Sequence, residues 1–406
     1  MPPSTLTPDL TSRLDGISES QTLAMAKKVR ALRAAGQPVY SFTLGEPDFD
    51  TPEHIREAAI QAIREGDTHY PPVAGQPALR EAFAQHLASH YQLTYQPEEI
   101  LVSTGAKQSL MNILAALVRP GDEVILPAPY WVSYLPMIQL AEGTPVIVQT
   151  TEATGLKLTP EQLEAALTPR TRLLLLNSPS NPTGSIYSEA ELVALAQVLE
   201  RWPQVWVISD EIYALVRYVP SFFSPARLPS LRERCLVVNG VSKAFAMTGW
   251  RIGLLAAPRP VIALCEKYQG QITSGACSIA QRAAKAAFSQ PLDATQVMVD
   301  AFRRRRDLAL QLFATHCPEV TCIVPEGAFY LFPNVSAYLG RNTPAGQPIE
   351  TPEQLAEWVL DNSQVAVVSG EGFGTNQHVR LSFACDEETI RSGIAGLGDA
   401  LRALRN

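Results

Sequence analysis

No stretch of this sequence approaches the roughly 20 consecutive apolar residues that a membrane-spanning helix needs, so the chain is expected to stay out of the bilayer. Its first residues, Met1-Pro-Pro-Ser-Thr-Leu6, lack the basic start and apolar run of a signal peptide. Excess positive charge is missing too. The 33 Lys+Arg stand against 40 Asp+Glu, a formal net charge of -7, which gives no electrostatic basis for holding nucleic acid or an anionic membrane. Cysteine is sparse: the six residues, at 235, 265, 277, 317, 322 and 385, form no CxxC pair. That argues against a disulfide or zinc framework and for buried, reduced thiols in a cytoplasmic protein. A dinucleotide fingerprint is absent as well, because the glycine-rich Gly370-Glu-Gly-Phe-Gly374 leads into a strand rather than a helix. A nicotinamide-dependent dehydrogenase is thereby excluded.

What is present is an ordinary soluble composition, 46% apolar and 18% charged, on 406 residues, enough for two domains or one large α/β domain. The periodicity predicts a helix over 20–35 stopped by Gly36, then a short strand over 39–43. Thr51-Pro-Glu53 reads as an N-cap followed by proline and acid in the first helical turn. In the loop Asp67-Thr-His-Tyr70, Tyr70 either contacts a distant site or packs locally.

From residue 99 onward, apolar runs at 100–103, 123–126, 145–148, 172–177, 205–209, 236–239 and 251–256 alternate with helical stretches such as 108–118 and 189–201. Seven such strands predict a mostly parallel sheet covered on both faces. A long helical region follows from 258 to 289, and a second surrounds Ala301-Phe-Arg-Arg-Arg-Arg-Asp307, whose arginines read as a solvated, salt-bridged face. The last hundred residues mix strands at 329–332, 365–368 and 379–383 with helices over 353–361 and from Asp386, a smaller α+β unit.

Ligands of open α/β sheets sit beyond the carboxyl ends of the strands, and those ends carry chemistry here. Ser103-Thr-Gly-Ala-Lys-Gln108 opens a helix with small residues, which lets backbone N–H groups approach an anion. Asn177-Ser-Pro-Ser-Asn-Pro-Thr-Gly184 and Ser209-Asp-Glu-Ile-Tyr213 end two long strands, and Asp210 and Tyr213 are expected on one side of a helical turn. After 236–239 come Lys243 and Arg251, two cations in a segment too apolar for a solvated turn, where an unpaired buried charge costs several kcal/mol. A lysine, a carboxylate, a phenol, an amide and a phosphate-friendly helix start together suit pyridoxal 5'-phosphate.

Three motifs, Asn181-Pro-Thr-Gly, Asp210-Glu-Ile-Tyr and Ser242-Lys-Ala-Phe-Ala-Met-Thr-Gly-Trp-Arg-Ile-Gly, each follow a strand. With them the chain, from Gly45-Glu-Pro-Asp-Phe49 to Arg380, resembles the class I aminotransferases of pyridoxal-phosphate fold type I, the aspartate aminotransferase family. The resemblance implies a large cofactor domain over 51–298 and a small domain built from 1–50 and 299–406. It implies that Lys243 is the Schiff-base lysine and proton shuttle, that Asp210 pairs with the pyridine nitrogen, and that Tyr213 and Asn181 donate to the phenolate oxygen. Arg251, Ser242 and the Gly105-Ala106-Lys107 loop would hold the phosphate and Trp131 would stack over the ring. Arg380 would clamp the substrate α-carboxylate, with Asn181, Trp131 and the backbone of Gly45 beside it. Tyr70 would reach the phosphate of a partner subunit, making a homodimer part of the site.

The substrates implied are an L-amino acid, aspartate foremost, and a 2-oxo acid, 2-oxoglutarate foremost. One subgroup of aspartate aminotransferases supplies an arginine for the side-chain carboxylate from the partner, but Gln271-Ile-Thr-Ser-Gly-Ala-Cys-Ser278 holds none. This is similar to a bacterial subgroup in which the lysine of the phosphate loop, here Lys107, serves instead; a plain phosphate contact is the alternative. The N-terminal lysine with which some relatives take prephenate has no counterpart near Ile17-Ser-Glu-Ser20. Alanine, aromatic or kynurenine transamination and aminocyclopropanecarboxylate synthesis share the same core. A pyridoxal-phosphate-sensing regulator would need a DNA-binding domain, for which the forty or so residues before Gly45 are too few.

Overall fold

The computed structural model describes residue 14, residues 16–17 and residues 21–405. The leader reading at residues 1–6, the residue-20 start of the first helix and the missing lysine at residues 18–20 lie outside the described residues. The chain runs α1 (Gln21–Ala34), β1 (Tyr40–Ser41), α2 (Glu53–Arg64) and α3 (Pro77–Tyr91). It then alternates through β2 (Ile100–Ser103), α4 (Ala106–Leu117), β3 (Glu123–Ala128), α5 (Tyr134–Leu140), β4 (Thr144–Gln149), α6 (Pro160–Ala166), β5 (Thr171–Asn177), α7 (Glu189–Leu199), β6 (Trp206–Asp210), β7 (Cys235–Gly240) and β8 (Gly253–Ala256). Three helices follow, α8 (Arg259–Ile272), α9 (Ser278–Ser289) and α10 (Asp293–His316). The last section holds β9 (Tyr330–Leu331), α11 (Pro352–Ser363), β10 (Val365–Ala366), β11 (Val368–Ser369), β12 (Val379–Ser382) and α12 (Glu387–Ala403).

The seven expected apolar runs form one seven-stranded sheet in the order β2-β8-β7-β6-β5-β3-β4. All neighbours pair in parallel except β8, which is antiparallel to both β2 and β7. The run of leucines in β5 is explained by two-sided burial: Leu174 and Leu176 enter one core, Leu173 and Leu175 the other. Edge strand β4 departs from this pattern and is half exposed, which also makes Pro145 tolerable there. Strand β8 begins at Gly253, because Arg251 takes a left-handed conformation at φ 58°.

Two small sheets complete the fold, an antiparallel β11-β12-β9 and a parallel β1-β10 pair that joins both ends of the chain, Tyr40 opposite Val365. The expected strand at 365–368 is split in two: β10 pairs with β1, and two residues later β11 pairs with β12.

Four local expectations are corrected. Thr51 caps nothing; Pro52 takes the N-cap position, and the Thr51 hydroxyl donates to the Ala246 carbonyl at 2.7 Å and accepts from Trp250 Nε1 at 3.0 Å. The helix over 258–289 breaks between α8 and α9, where a Cβ on Gly275 would lie 2.9 Å from the Pro71 and Pro72 carbonyls. Asp210 is followed by a turn rather than a helix, closed by Glu211 and Ala214. Cys277 is exposed rather than buried, although all six thiols are free. Of the four arginines on α10, Arg303 and Arg304 are solvated as expected, while Arg305 grips Asp48 through two hydrogen bonds. Among the described residues no helix is long and apolar enough to cross a membrane.

Candidate active site

The carboxyl ends of β5, β6 and β7, the start of α4 and the segment around Gly45 enclose a cavity of about 260 Å³. Of the residues singled out in the sequence, it brings together Gly45, Ala106, Lys107, Trp131, Asn181, Asp210, Tyr213, Ser242, Lys243, Arg251 and Arg380. Strand β7 is buried along its whole length, so Lys243, three residues past its end, starts from a rigid base. Thr51 holds the Ala246 carbonyl and Thr295 on α10 holds that of Ala244 at 2.7 Å. The Lys243 amine donates to the Gly45 carbonyl at 2.5 Å. Burial pulls it down from 10.5 to about 8, with Glu46 opposing and Arg380 and Arg251 reinforcing the shift.

Asp210, the last residue of β6, is buried and accepts from the Tyr134 hydroxyl at 2.7 Å and from the Ile212 N–H at 3.2 Å. Burial raises its carboxyl to about 6, against the lowering by Tyr134, Ile212 and Lys243. Asn177 ties two strand ends together: its amide donates to the Asp210 carbonyl at 3.0 Å and its oxygen accepts from the Asn181 N–H at 2.8 Å. The Tyr213 and Tyr330 hydroxyls lie 2.8 Å apart.

Arg380 is 1% exposed. Its Nη1 donates to Asn181 Oδ1 at 3.2 Å, its Nη2 to the Thr43 carbonyl at 2.7 Å, and its Nε is buried without a partner. The guanidinium lies over the rings of Tyr330 at 4.7 Å and Phe373 at 5.0 Å. A buried cation with an unsatisfied N–H, facing a cavity, is built for an anion that arrives with the substrate.

The class I and II aminotransferase family model matches residues 37–397. An aspartate/prephenate aminotransferase of Cereibacter sphaeroides is 47% identical over 95% of this chain and 97% of its own. An aspartate aminotransferase of Rhizobium meliloti is 43% identical over 96% of this chain and 95% of its own, and the crystal structure of an aspartate aminotransferase from Rhizobium meliloti superposes with a TM-score of 0.94 over 97% of this chain and 99% of that one at 42% identity. The Thermus thermophilus aspartate aminotransferase with maleate gives 0.91 at 39% identity, covering 97% and 100%. The chain belongs to the class I and II aminotransferase family.

Enzymes of this family use pyridoxal phosphate, and the residues present in this aminotransferase fit that cofactor. One end of the cavity is cationic and rich in backbone donors: Gly105, at φ 84°, caps α4, and a Cβ there would lie 2.4 Å from Arg251 Nη2. Gly253 is needed equally, since its Cβ would meet Ala106 N and Gly105 C at 2.2 Å. The other end holds the buried carboxylate of Asp210 and the low-pKa amine of Lys243. Arg251 departs from expectation in being exposed, with Nη1 on the Thr248 carbonyl at 2.9 Å. Lys107 Nζ sits 4.9 Å above the Trp131 ring, its pKa lowered by burial and then by Arg251. Tyr70 is 97% exposed and stands apart from the cavity of its own chain.

Tyr134 and Tyr330 line the cavity without having been singled out in the sequence, and Asn177 and Thr248, which fall inside quoted motifs, line it without having been given a role. Tyr134 had a weak signal, lying three residues after Trp131, whose ring meets it edge-on at 5.3 Å. Tyr330 had none, because Phe329-Tyr-Leu-Phe332 reads as a plain buried strand.

Proposed function

We propose that this aminotransferase moves the amino group of L-aspartate to 2-oxoglutarate, and that the residues gathered around the cavity act as follows. When bound, pyridoxal phosphate supplies the electron sink for the pair left by the broken Cα–H bond. Arg251, Ser242 and the N–H groups of residues 105–107 hold its phosphate at the start of α4. Asp210 faces the pyridine nitrogen, its negative charge keeping a proton there. Tyr213 and Asn181 donate to the ring oxygen, and Trp131 covers the ring face.

Lys243 takes the proton from the substrate Cα at Nζ, which requires the free base. An amine at 10.5 would be about one part in a thousand neutral at pH 7.5, whereas one at about 8 is roughly one quarter neutral. Burial of the lysine therefore sets the fraction of enzyme ready for proton transfer. Arg380, which lines the cavity, takes the α-carboxylate.

The observation that carries the choice of aspartate is that the cavity holds, beside Lys243 and Arg251, two further cations, Arg380 and Lys107. A dicarboxylate uses both; alanine uses only the first. The relatives named as aspartate aminotransferases support the same reading. Prephenate is a second acceptor to measure, since the Cereibacter sphaeroides relative carries it in its name.

Tyr70, a large side chain almost wholly in water, is read as reaching a second copy's phosphate, so the working enzyme is a homodimer. The division into a large domain over 51–298 and a small one from 1–50 and 299–406 agrees with the β1–β10 pairing of the two chain ends. Six free thiols agree with a cytoplasmic setting.

The test is an amino-donor screen with 2-oxoglutarate. Aspartate and glutamate are expected to exceed alanine and phenylalanine in kcat/KM. Lys107→Ala should lower the dicarboxylates selectively, by roughly ten- to a hundredfold for a lost charged hydrogen bond, while Arg380→Ala should lower every donor. Aromatic donors ahead of aspartate, or equal losses for all donors in Lys107→Ala, contradict the assignment.

A further inference from the structure

Tyr330 has no role in the scheme above, yet three parts of the site converge on it. Its hydroxyl is 2.8 Å from that of Tyr213. Its ring lies 4.7 Å below the Arg380 guanidinium. A Cβ on Gly45 would come within 2.6 Å of its hydroxyl oxygen, so Tyr330 in this position requires glycine at 45. The side chain is 0% exposed and borders the cavity from β9, the strand paired with the one bearing Arg380.

A hydroxyl carries a single proton. If Tyr213 gives its proton to the ring oxygen of the cofactor, as proposed above, it has none left for Tyr330. The 2.8 Å bond then runs in one direction, from the Tyr330 hydroxyl to the Tyr213 oxygen. We infer that Tyr330 is a positioning residue for the transamination, its hydroxyl orienting and polarising Tyr213 as a donor while its ring face holds Arg380 in plane. The inference rests on the reading of Tyr213 as a donor to the cofactor. A donor that itself accepts a hydrogen bond is strengthened by it. Burial keeps both phenols raised above the ordinary tyrosine value, so both remain protonated donors across the working range.

The test uses the holoenzyme of wild type, Tyr330→Phe, Tyr213→Phe and the double variant. Its first readout is the pH midpoint at which the visible absorption of the bound cofactor changes. Donation to the ring oxygen favours the form that predominates at high pH, so weaker donation moves the midpoint upward. Tyr330→Phe keeps the ring and its contacts with Arg380 and Phe329 and is expected to raise the midpoint by roughly 0.3–1 unit, about the strength of part of one hydrogen bond. In the Tyr213→Phe background the same substitution should leave the midpoint unchanged, because the effect passes through Tyr213. The second readout separates the two roles: Tyr330→Phe should lower kcat about three- to tenfold with KM for aspartate nearly constant, whereas Tyr330→Leu, lacking the ring, should also raise KM. A midpoint in Tyr330→Phe that is unchanged or lower overturns the orienting role. Equal KM values for the Phe and Leu variants overturn the holding of Arg380. If Tyr213→Phe itself leaves the midpoint in place, the assignment of Tyr213 falls, and the inference with it.

Discussion

Glu211 sits one residue past Asp210 and points to the other side of its strand. Its Oε1 accepts from the Ser209 and Ser224 hydroxyls at 2.8 and 2.5 Å, and its Oε2 is buried without a partner. Burial raises the carboxyl from 4.5 to about 7; the two serines oppose this and the Asp210 charge adds to it. The folded protein thus holds this proton more tightly than the unfolded chain does. The stability it contributes is full below pH 4.5 and is lost as pH rises through 7. Glu211→Gln fixes the neutral form, so its Tm relative to wild type should climb between pH 5.5 and 8.5 by roughly 2–4 °C, measured by thermal unfolding of the holoenzyme. A Tm difference that does not change with pH would show that folding leaves the Glu211 carboxyl at its unfolded pKa, so that burial does not raise it. At this scale the sequence was legible where a polar residue interrupts an apolar run, as Asp210, Lys243 and Arg380 do. It was silent where a side chain doubles as core: Tyr134 and Tyr330 look like ordinary buried aromatics, and only their hydroxyl partners give them away.

At the scale of elements, the loop from β7 to β8 is positioned by groups far from it in sequence. Thr51 is the instructive case. Its sequence neighbours, proline and acid, predict a helix cap, a local rule that holds unless the hydroxyl finds a better partner. Here it bridges Ala246 and Trp250, contacts 195 and 199 residues away that no local pattern encodes. The glycine in β8 shows the same long-range constraint. Gly253→Ala would push a methyl group into backbone of residues 105 and 106. Its cofactor dissociation constant should therefore rise roughly tenfold or more, the equivalent of about 1.4 kcal/mol. Gly249→Ala, with nothing within 4 Å of its Cβ, should bind cofactor like wild type. Matching constants for the two variants, read by absorbance titration of the apoenzyme, would contradict the close approach of β8 to the phosphate loop. The break between α8 and α9 was missed for a related reason: the helical pattern continues through it, and the obstacle is the 71–72 loop.

For the whole molecule, the architecture was the most legible feature. Two-sided burial of β5, β6 and β7 forces nearly unbroken apolar runs, and runs of that kind separated by helices leave few alternatives to a doubly covered parallel sheet. The insertion of β8 between β7 and β2 and the pairing of β1 with β10 were not legible, since Ser103 meets Gly253 and Tyr40 meets Val365 across long stretches of chain that no local pattern spans. The proposed homodimer makes a further prediction at this scale. In the proposed dimer, Lys243→Ala would lack the catalytic amine and Tyr70→Ala the arm that reaches its partner. After subunit exchange, mixed dimers regain one intact site each, so equal mixtures should recover about one quarter of wild-type activity from random pairing. Mixtures no more active than the average of the two parents would mean that Tyr70 serves its own chain or none.

The proposed transamination requires that Lys243 carry the cofactor. Borohydride reduction of the holoenzyme, followed by trypsin digestion and mass spectrometry, reads this without any assay of turnover. The reduced cofactor should be found on Lys243, within a peptide running from Cys235 to Arg251 in which cleavage at Lys243 is blocked, and Lys243→Ala should yield no labelled peptide. Label on Lys107 or any other lysine, or an unmodified and normally cleaved Lys243 in the reduced wild type, would contradict the account.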